Sequence, residues 1–144
     1  MSDERKELED QVFKWVEIAK EDLVLAKHAF TLKSNIPYRL IAYHAQQCAE
    51  KYLKAFLVSR LIDFPYTHNI EMLVNLCESE AEIRAQLKDV FILTQYAAAK
   101  RYPGEYRKIQ KEDAVEAVRL ADLTAQVINK LLERDGFYFL EQDT

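Results

Sequence analysis

Four polar side chains that could bind a ligand or transfer a proton recur at helical spacing in one stretch of the sequence. They are His44, Gln47, Lys51 and Lys54. Separations of three, four and three residues place such side chains along one face of a helix. An imidazole can transfer protons near neutral pH, and ammonium groups can hold phosphate. The alternative is a solvated face, on which Glu50 forms an ordinary ion pair with Lys54 one turn away.

Positive charge is concentrated in a second stretch, where tyrosines lie between the cations. Five cations fall within twelve residues: Lys100, Arg101, Arg107, Lys108 and Lys111. Cations hold phosphates, and tyrosine rings such as those of Tyr102 and Tyr106 stack on bases. The alternative is an ordinary exposed loop that Tyr102 and Pro103 anchor to the protein.

A second imidazole lies in the stretch Thr67-His68-Asn69, just before a short apolar pattern. His68 is a candidate for proton transfer or for hydrogen bonding to a ligand. The alternative is structural: Thr67 or Asn69 caps the following helix, and His68 bonds a neighbouring backbone group.

The sequence predicts no metal and no cofactor. His44 and Cys48 are four residues apart and could face one ion, but a metal site needs three or four ligands. No second pair has ligand spacing, and Cys48 also belongs to an apolar stripe. A glycine-rich phosphate loop and a nucleophile elbow are both missing from the sequence.

The composition is that of a globular protein of one domain, residues 1–144, with a core over about 7–134 and a tail over 135–144. The chain is 49% hydrophobic and 31% charged, with only two Gly and three Pro, which favours long elements over sandwiches and barrels. Its net charge of −4 gives no general attraction to nucleic acid, so such binding needs a local patch.

The segments expected of secreted and membrane proteins are missing. The charged N-terminus lacks the apolar core of a secretion signal, and no run of about 18 apolar residues could span a membrane. Two cysteines, Cys48 and Cys77, make no disulfide framework. We therefore predict a cytoplasmic protein without a membrane partner.

Apolar residues recur with a period near 3.6 along most of the chain, which predicts an all-α protein. Four long helices are expected over about 7–32, 37–60, 81–99 and 111–134, with a short one over about 70–77. Ser34 or Asn35 is a candidate N-cap for the second of these helices, whose wide apolar surface predicts a central position. The expected architecture is an antiparallel up-and-down bundle.

Four blocks of this sequence, in order, resemble the HEPN domain family (higher eukaryotes and prokaryotes nucleotide-binding). Residues 43–55 read YHAQQCAEKYLKA, which is similar to the family's second-helix signature. Trp15 with Ala19, Asp22, Leu23 and Ala26 resembles its first helix. PYTHNI at 65–70 resembles its Thr-His stretch, and Arg101-Tyr102-Pro103 resembles its Arg-Tyr-Pro. The likeness covers about residues 10–132.

The resemblance implies a helical bundle that usually dimerises and acts on nucleotides or RNA. Many bacterial members are encoded beside a minimal nucleotidyltransferase, and in such pairs the HEPN protein is often a ribonuclease toxin and the transferase its antitoxin. The ribonuclease members carry Arg-x4–6-His near the start of the last helix. Here no His follows Arg101 at that spacing. Arg39 and His44 fit the spacing in helix two, but a regular helix points them about 140° apart.

Three functions follow as hypotheses. The leading one is a homodimeric binding module, in which cations contact phosphate, tyrosines stack, and neutral groups form the rim. The phosphate contacts are Lys51, Lys54, Arg101 and Arg107, the stacking residues are Tyr102 and Tyr106, and the rim is His44, Gln47 and His68.

The second hypothesis is a metal-independent ribonuclease that uses Arg39 with His44, or His68 with Arg101. The third is a protein-interaction module, in which Glu50 and Lys51 pair internally with Arg101 and its neighbours. In that interpretation the apolar tail 137–140 docks on a partner or a second subunit.

Overall fold

The computed structural model describes residues 2–97 and 108–139, and these residues form helices without any strand. The helices are α1 (Asp3–Ala29), α2 (Tyr38–Ser59), α3 (Ile70–Leu76), α4 (Ala81–Gln86), a 3₁₀ helix (Lys88–Tyr96) and α5 (Lys111–Arg134). The all-α prediction is thus confirmed for this part of the chain. None of these helices is both long enough and apolar enough to cross a membrane.

The long helix α2 is central, as its wide apolar surface predicts. It packs along both α1 and α5, and it supplies the largest buried side chains of the core. These are Tyr52, Leu53, Phe56 and Leu57. From α1, the stripe that includes Val12, Ala19 and Ala26 faces the interior.

The prediction of one long α-helix over about 81–99 is wrong for the described residues 81–97. Helix α4 ends at Gln86, and the chain continues from Lys88 as a 3₁₀ helix. The buried side chains explain the change, because Leu87, Val90, Leu93 and Tyr96 recur every third residue, which is the period of a 3₁₀ helix. The described part of the chain therefore has three long helices rather than the four of the predicted bundle.

The limits of α2 and α5 agree with prediction to within one residue, whereas both ends of α1 differ by three or four residues. Helix α1 begins at Asp3 rather than near residue 7, because the Ser2 hydroxyl accepts a hydrogen bond from the Arg5 N–H at 3.2 Å. Helix α2 begins at Tyr38 after Pro37, which offers no side-chain cap, so the expected Ser34 or Asn35 cap is wrong.

Gly136, just after the C-terminal end of α5, lies in the left-handed region of backbone conformation. Its φ is +89°, its N–H bonds the carbonyl of Glu133 at 3.0 Å, and the Phe137 N–H bonds that of Leu132 at 2.8 Å. This pair of bonds is a Schellman motif, and it directs the tail back across the protein.

The tail packs on its own chain as far as the structure describes it. Phe137 is buried beneath the guanidinium of Arg5, which lies 4.0 Å from the ring centroid. The ring of Phe139 lies 5.5 Å from that of Phe13 on α1. Phe137 is therefore covered by its own chain, whereas Tyr138 is exposed, and docking of the tail on a partner stays a prediction.

Candidate functional site

Asp22 of α1 holds two of the predicted site residues together. Its Oδ1 lies 2.8 Å from Nδ1 of His44, and its Oδ2 accepts a hydrogen bond from Nζ of Lys51 at 2.7 Å. All three side chains are partly buried, so the bonds are only partly screened by water. We call these three residues the Asp22 cluster.

The bond to Asp22 sets the chemistry of the His44 ring. An ionised carboxylate can only accept hydrogen bonds, so Nδ1 of His44 carries the proton. In the neutral ring Nε2 is then the basic nitrogen, and the carboxylate on Nδ1 orients the ring. The neutral ring suits a general base, and the ring donates to an anion only in the form that carries a proton on Nε2 as well.

Glu50 organises a second set of side chains. Its Oε1 accepts hydrogen bonds from Nε2 of Gln46 at 2.9 Å and from Nδ1 of His68 at 2.7 Å, and its Oε2 accepts one from Nζ of Lys54 at 3.0 Å. We call these four residues the Glu50 cluster. Gln47 joins it by donating to Oε1 of Gln46 at 2.7 Å. A buried carboxylate with this many donors is fully satisfied.

The Glu50–Lys54 pair forms as its spacing predicts, but it is not solvated. The two side chains are 4% and 5% exposed. Nζ of Lys54 also lies 5.7 Å from the ring centroids of Trp15 and Phe64, and 5.8 Å from that of Tyr66. The ammonium is thus enclosed by a carboxylate and three rings, within the range of cation–π attraction.

The four side chains predicted to share one face therefore divide between two carboxylates. His44 and Lys51 bind Asp22, whereas Lys54 binds Glu50 and Gln47 bonds to Gln46. Glu50 and Lys51 are paired internally, but their partners in the described residues are His68, Lys54 and Asp22. The pairing with Arg101 that the interaction-module hypothesis expects involves a residue outside them and stays a prediction.

Sequence reasoning named Asp22 only within the family resemblance and assigned neither Asp22 nor Gln46 to the site. One signal was available for Asp22, which lies three residues after Ala19 and four before Ala26, at the spacing of the buried stripe. An acidic residue at such a position needs a partner in the interior.

The loop before α3 serves partly as a cap. The Asn69 side chain accepts a hydrogen bond from the Met72 N–H at 3.0 Å, and the Thr67 hydroxyl accepts one from the Asn69 N–H at 3.1 Å. The capping prediction is therefore confirmed for Asn69. His68 differs from the structural alternative, because its ring bonds the carboxylate of Glu50 instead of a backbone group.

The remaining candidates are not brought together by any described contact. Arg39 is exposed in the first turn of α2. The hydrogen bond described for the His44 ring is with Asp22, not with Arg39. Arg101, Tyr102, Tyr106 and Arg107 lie outside the described residues. Whether the cationic stretch meets α2 thus stays a prediction.

Both cysteines are core residues. Burial raises the pKa of the Cys48 thiol far above its usual range, and the Asp22 charge raises it further. Burial likewise raises the pKa of Cys77 to about 12. Both thiols are therefore protonated near neutral pH and poorly nucleophilic. Among residues 2–97 and 108–139, no three His, Cys, Asp or Glu side chains are grouped as metal ligands.

The comparisons with known proteins place the chain in one family. The sequence model described as HEPN domain matches residues 12–131, which is most of the chain. No curated protein and no solved structure matches it significantly. The match includes all of α2 and α3 together with Asp22, so both clusters lie inside it. On this evidence of sequence and helical architecture, the chain belongs to the HEPN domain family.

Proposed function

We propose that this HEPN protein binds the phosphate groups of a nucleotide or RNA at the Asp22 cluster. Membership of the family supports a nucleotide- or RNA-related function. The observation that carries the proposal is the shared carboxylate: Asp22 fixes an imidazole and an ammonium side by side, and both stay partly exposed. Donors that are already held in place lose little entropy when an anion binds.

The other predicted ligand contacts take different parts in this proposal. Gln47 and His68 lie at the rim, and Arg101, Tyr102 and Arg107 contribute from the cationic stretch. Lys54 is left as a supporting residue, because its ammonium is buried on Glu50. Freeing it for a phosphate would leave Glu50 without its strongest partner.

Calorimetry with Lys51→Met tests the proposal against a matched lysine. Lys27 forms an exposed pair with Asp122 across α1 and α5, so Lys27→Met removes the same charge from a lysine whose described partner is Asp122 rather than Asp22. We expect Lys51→Met to weaken binding about tenfold, and Lys27→Met to leave it nearly unchanged. Titrating a mononucleotide and a short oligoribonucleotide in parallel separates the two ligand sources. Wild-type protein that binds neither ligand, or equal losses in both variants, would contradict the proposal.

We further propose that the protein is a homodimer and pairs with a minimal nucleotidyltransferase in a toxin–antitoxin-type module. The family resemblance supports both. Ile18 and Leu25, seven residues apart on α1, are exposed apolar side chains on one helical face, which supports a contact between copies. Light scattering of Ile18→Glu/Leu25→Glu is expected to give half the wild-type mass. Co-expression with such a transferase is expected to relieve any toxicity of the chain.

A second candidate function is metal-independent cleavage of RNA. The observation that favours it is that His44 and His68 each present Nδ1 to a carboxylate, which orients an imidazole for proton transfer. One imidazole would remove the proton of the 2′-hydroxyl as its oxygen attacks phosphorus. A positioned acid would protonate the departing 5′-oxygen, which leaves a 2′,3′-cyclic phosphate. Arg39 or Arg101, the arginines that the ribonuclease hypothesis pairs with these histidines, would stabilise the negative charge that develops at the phosphorus centre.

The third histidine of the chain supplies the control for this candidate. His28 is exposed near the end of α1, away from both carboxylates. Cleavage in the presence of a chelator that is lost in His44→Gln and His68→Gln but kept in His28→Gln would support catalysis. Cleavage that persists in the first two variants would eliminate these assignments.

A further inference from the structure

Among the described aromatic rings around Lys54, Tyr66 alone is largely exposed to water. Trp15 and Phe64, the other two, are partly buried against the core. Tyr66 is 89% exposed, in the loop between α2 and α3. A side chain this exposed gains little from the hydrophobic effect.

The ring of Tyr66 is held in place despite its exposure. It makes an edge contact with the ring of His68, with centroids 5.3 Å apart and planes at 73°. Its hydroxyl lies 3.5 Å from Nε2 of His68. Because Nδ1 of His68 bonds the buried carboxylate of Glu50, this chain of contacts ties the exposed ring to the interior of the protein.

A fixed, solvent-facing ring beside a cation is a suitable platform for a nucleobase. Nζ of Lys54 lies 5.8 Å from the Tyr66 centroid, and a cation draws π density toward itself. That shift lowers the electron density that a second π system would meet on the opposite face of the ring. Every base offers a π face, so such stacking tolerates any sequence.

We propose that Tyr66 is the base-stacking residue of the ligand site and that His68 is its positioning residue. This inference rests on the proposed binding of a nucleotide or RNA. It adds that the base is recognised at the loop before α3, apart from the phosphate contacts at the Asp22 cluster. The sequence hypotheses assigned stacking to Tyr102 and Tyr106, and Tyr66 is independent of both.

The test compares two oligomers that share a backbone. One is a short oligoadenylate, and the other is an abasic strand of equal length and charge. Tyr66→Ala is expected to weaken binding of the oligoadenylate about 5- to 100-fold and to leave the abasic strand unaffected. Tyr66→Phe keeps the ring and is expected to bind within about twofold of wild type. Tyr138→Ala removes another exposed tyrosine and is the matched control.

The outcomes separate this inference from the proposed function. If the wild type binds the oligoadenylate and Tyr66→Ala binds it equally well, the stacking role is overturned and phosphate binding stands. Equal weakening of both oligomers also overturns it, because the ring would then act without a base. If the wild type binds neither oligomer, both proposals fail. Circular dichroism of each variant confirms that the fold is intact.

Discussion

Arg134 donates hydrogen bonds to both carboxylate oxygens of Glu80, each at 2.9 Å. Arg60 donates to the same carboxylate at 3.0 Å and to Asp135 at 2.9 Å. A bidentate guanidinium–carboxylate pair is among the stronger charged hydrogen-bonded contacts in proteins. We call Arg134, Glu80, Arg60 and Asp135 the Glu80 cluster. Its hydrogen bonds join the C-terminal ends of α2 and α5 to the start of α4. These bonds, that of Arg134 foremost, hold the pKa of Glu80 at about 2, below its usual 4.5.

The Glu80 cluster predicts a pH-dependent stability. Since folding lowers the pKa of Glu80, its carboxylate stabilises the protein above about pH 4.5, and this stabilisation is lost as pH falls toward about 2. We expect Glu80→Gln to lower the free energy of unfolding by about 1–2 kcal/mol at neutral pH and by much less near pH 2. Urea denaturation at both pH values measures the difference.

Glu116→Gln is the control for that experiment. Glu116 also has a pKa lowered by an arginine, Arg119, but the pair is exposed and lies within α5. We expect only a small effect of this substitution on stability. A loss in Glu80→Gln that is equal at both pH values would contradict the linkage.

The Glu50 cluster predicts a strong dependence on its buried charge. Glu50→Gln leaves the Lys54 ammonium buried without its counter-charge, and we expect a loss of about 3–5 kcal/mol in the free energy of unfolding. Glu50→Gln combined with Lys54→Met removes both charges and is expected to recover much of that loss. A double variant as unstable as the sum of the two single variants would show that the pair is not coupled.

The left-handed conformation of Gly136 predicts a backbone cost for any side chain there. A Cβ at this position would lie 3.5 Å from Arg5, an ordinary contact, so Gly136→Ala is penalised by its φ of +89° alone. We expect a loss of about 1 kcal/mol in thermal or urea denaturation. Asn35, at φ +55°, gives the reverse control, because Asn35→Gly relieves the same strain. An unchanged stability of Gly136→Ala would mean that the Schellman motif is dispensable.

The burial of both thiols predicts slow cysteine chemistry. Cys48 and Cys77 are fully buried, and burial raises the pKa of each. We expect the native protein to leave an aromatic disulfide reagent unconsumed at about pH 8, whereas the urea-unfolded chain consumes two equivalents promptly. A prompt reaction of either thiol in the native protein would contradict this placement.

Helical periodicity predicted the elements whose stripes are long and regular. The limits of α5 agree with the expectation, and the Glu50–Lys54 pair follows from spacing within one helix. The segment 81–97 misled, because a few apolar residues three apart fit an α-helix almost as well as a 3₁₀ helix. Helix ends that depend on one capping hydrogen bond, such as the bond accepted by Ser2 at the start of α1, leave a weaker pattern in the sequence than the apolar stripe of a long helix.

The site was harder to predict, because its defining contacts cross between elements. Spacing aligned His44 with Lys51 on α2, but it could not identify Asp22 on α1 as the carboxylate between them. The bond from His68 to Glu50 depends likewise on the path of a loop, which no periodic pattern describes. Periodicity orders the side chains of one helix and leaves the choice of neighbour to packing.

Trp15, the only tryptophan of the chain, is one of the aromatic rings beside the ammonium group of Lys54 in the Glu50 cluster. Trp15 lies 5.7 Å from the Lys54 ammonium and 6.2 Å from the ring of Phe64. Indole emission is sensitive to nearby charge, so this protein carries a built-in optical reporter. Without any label, a ligand that binds at the neighbouring loop is expected to change this emission.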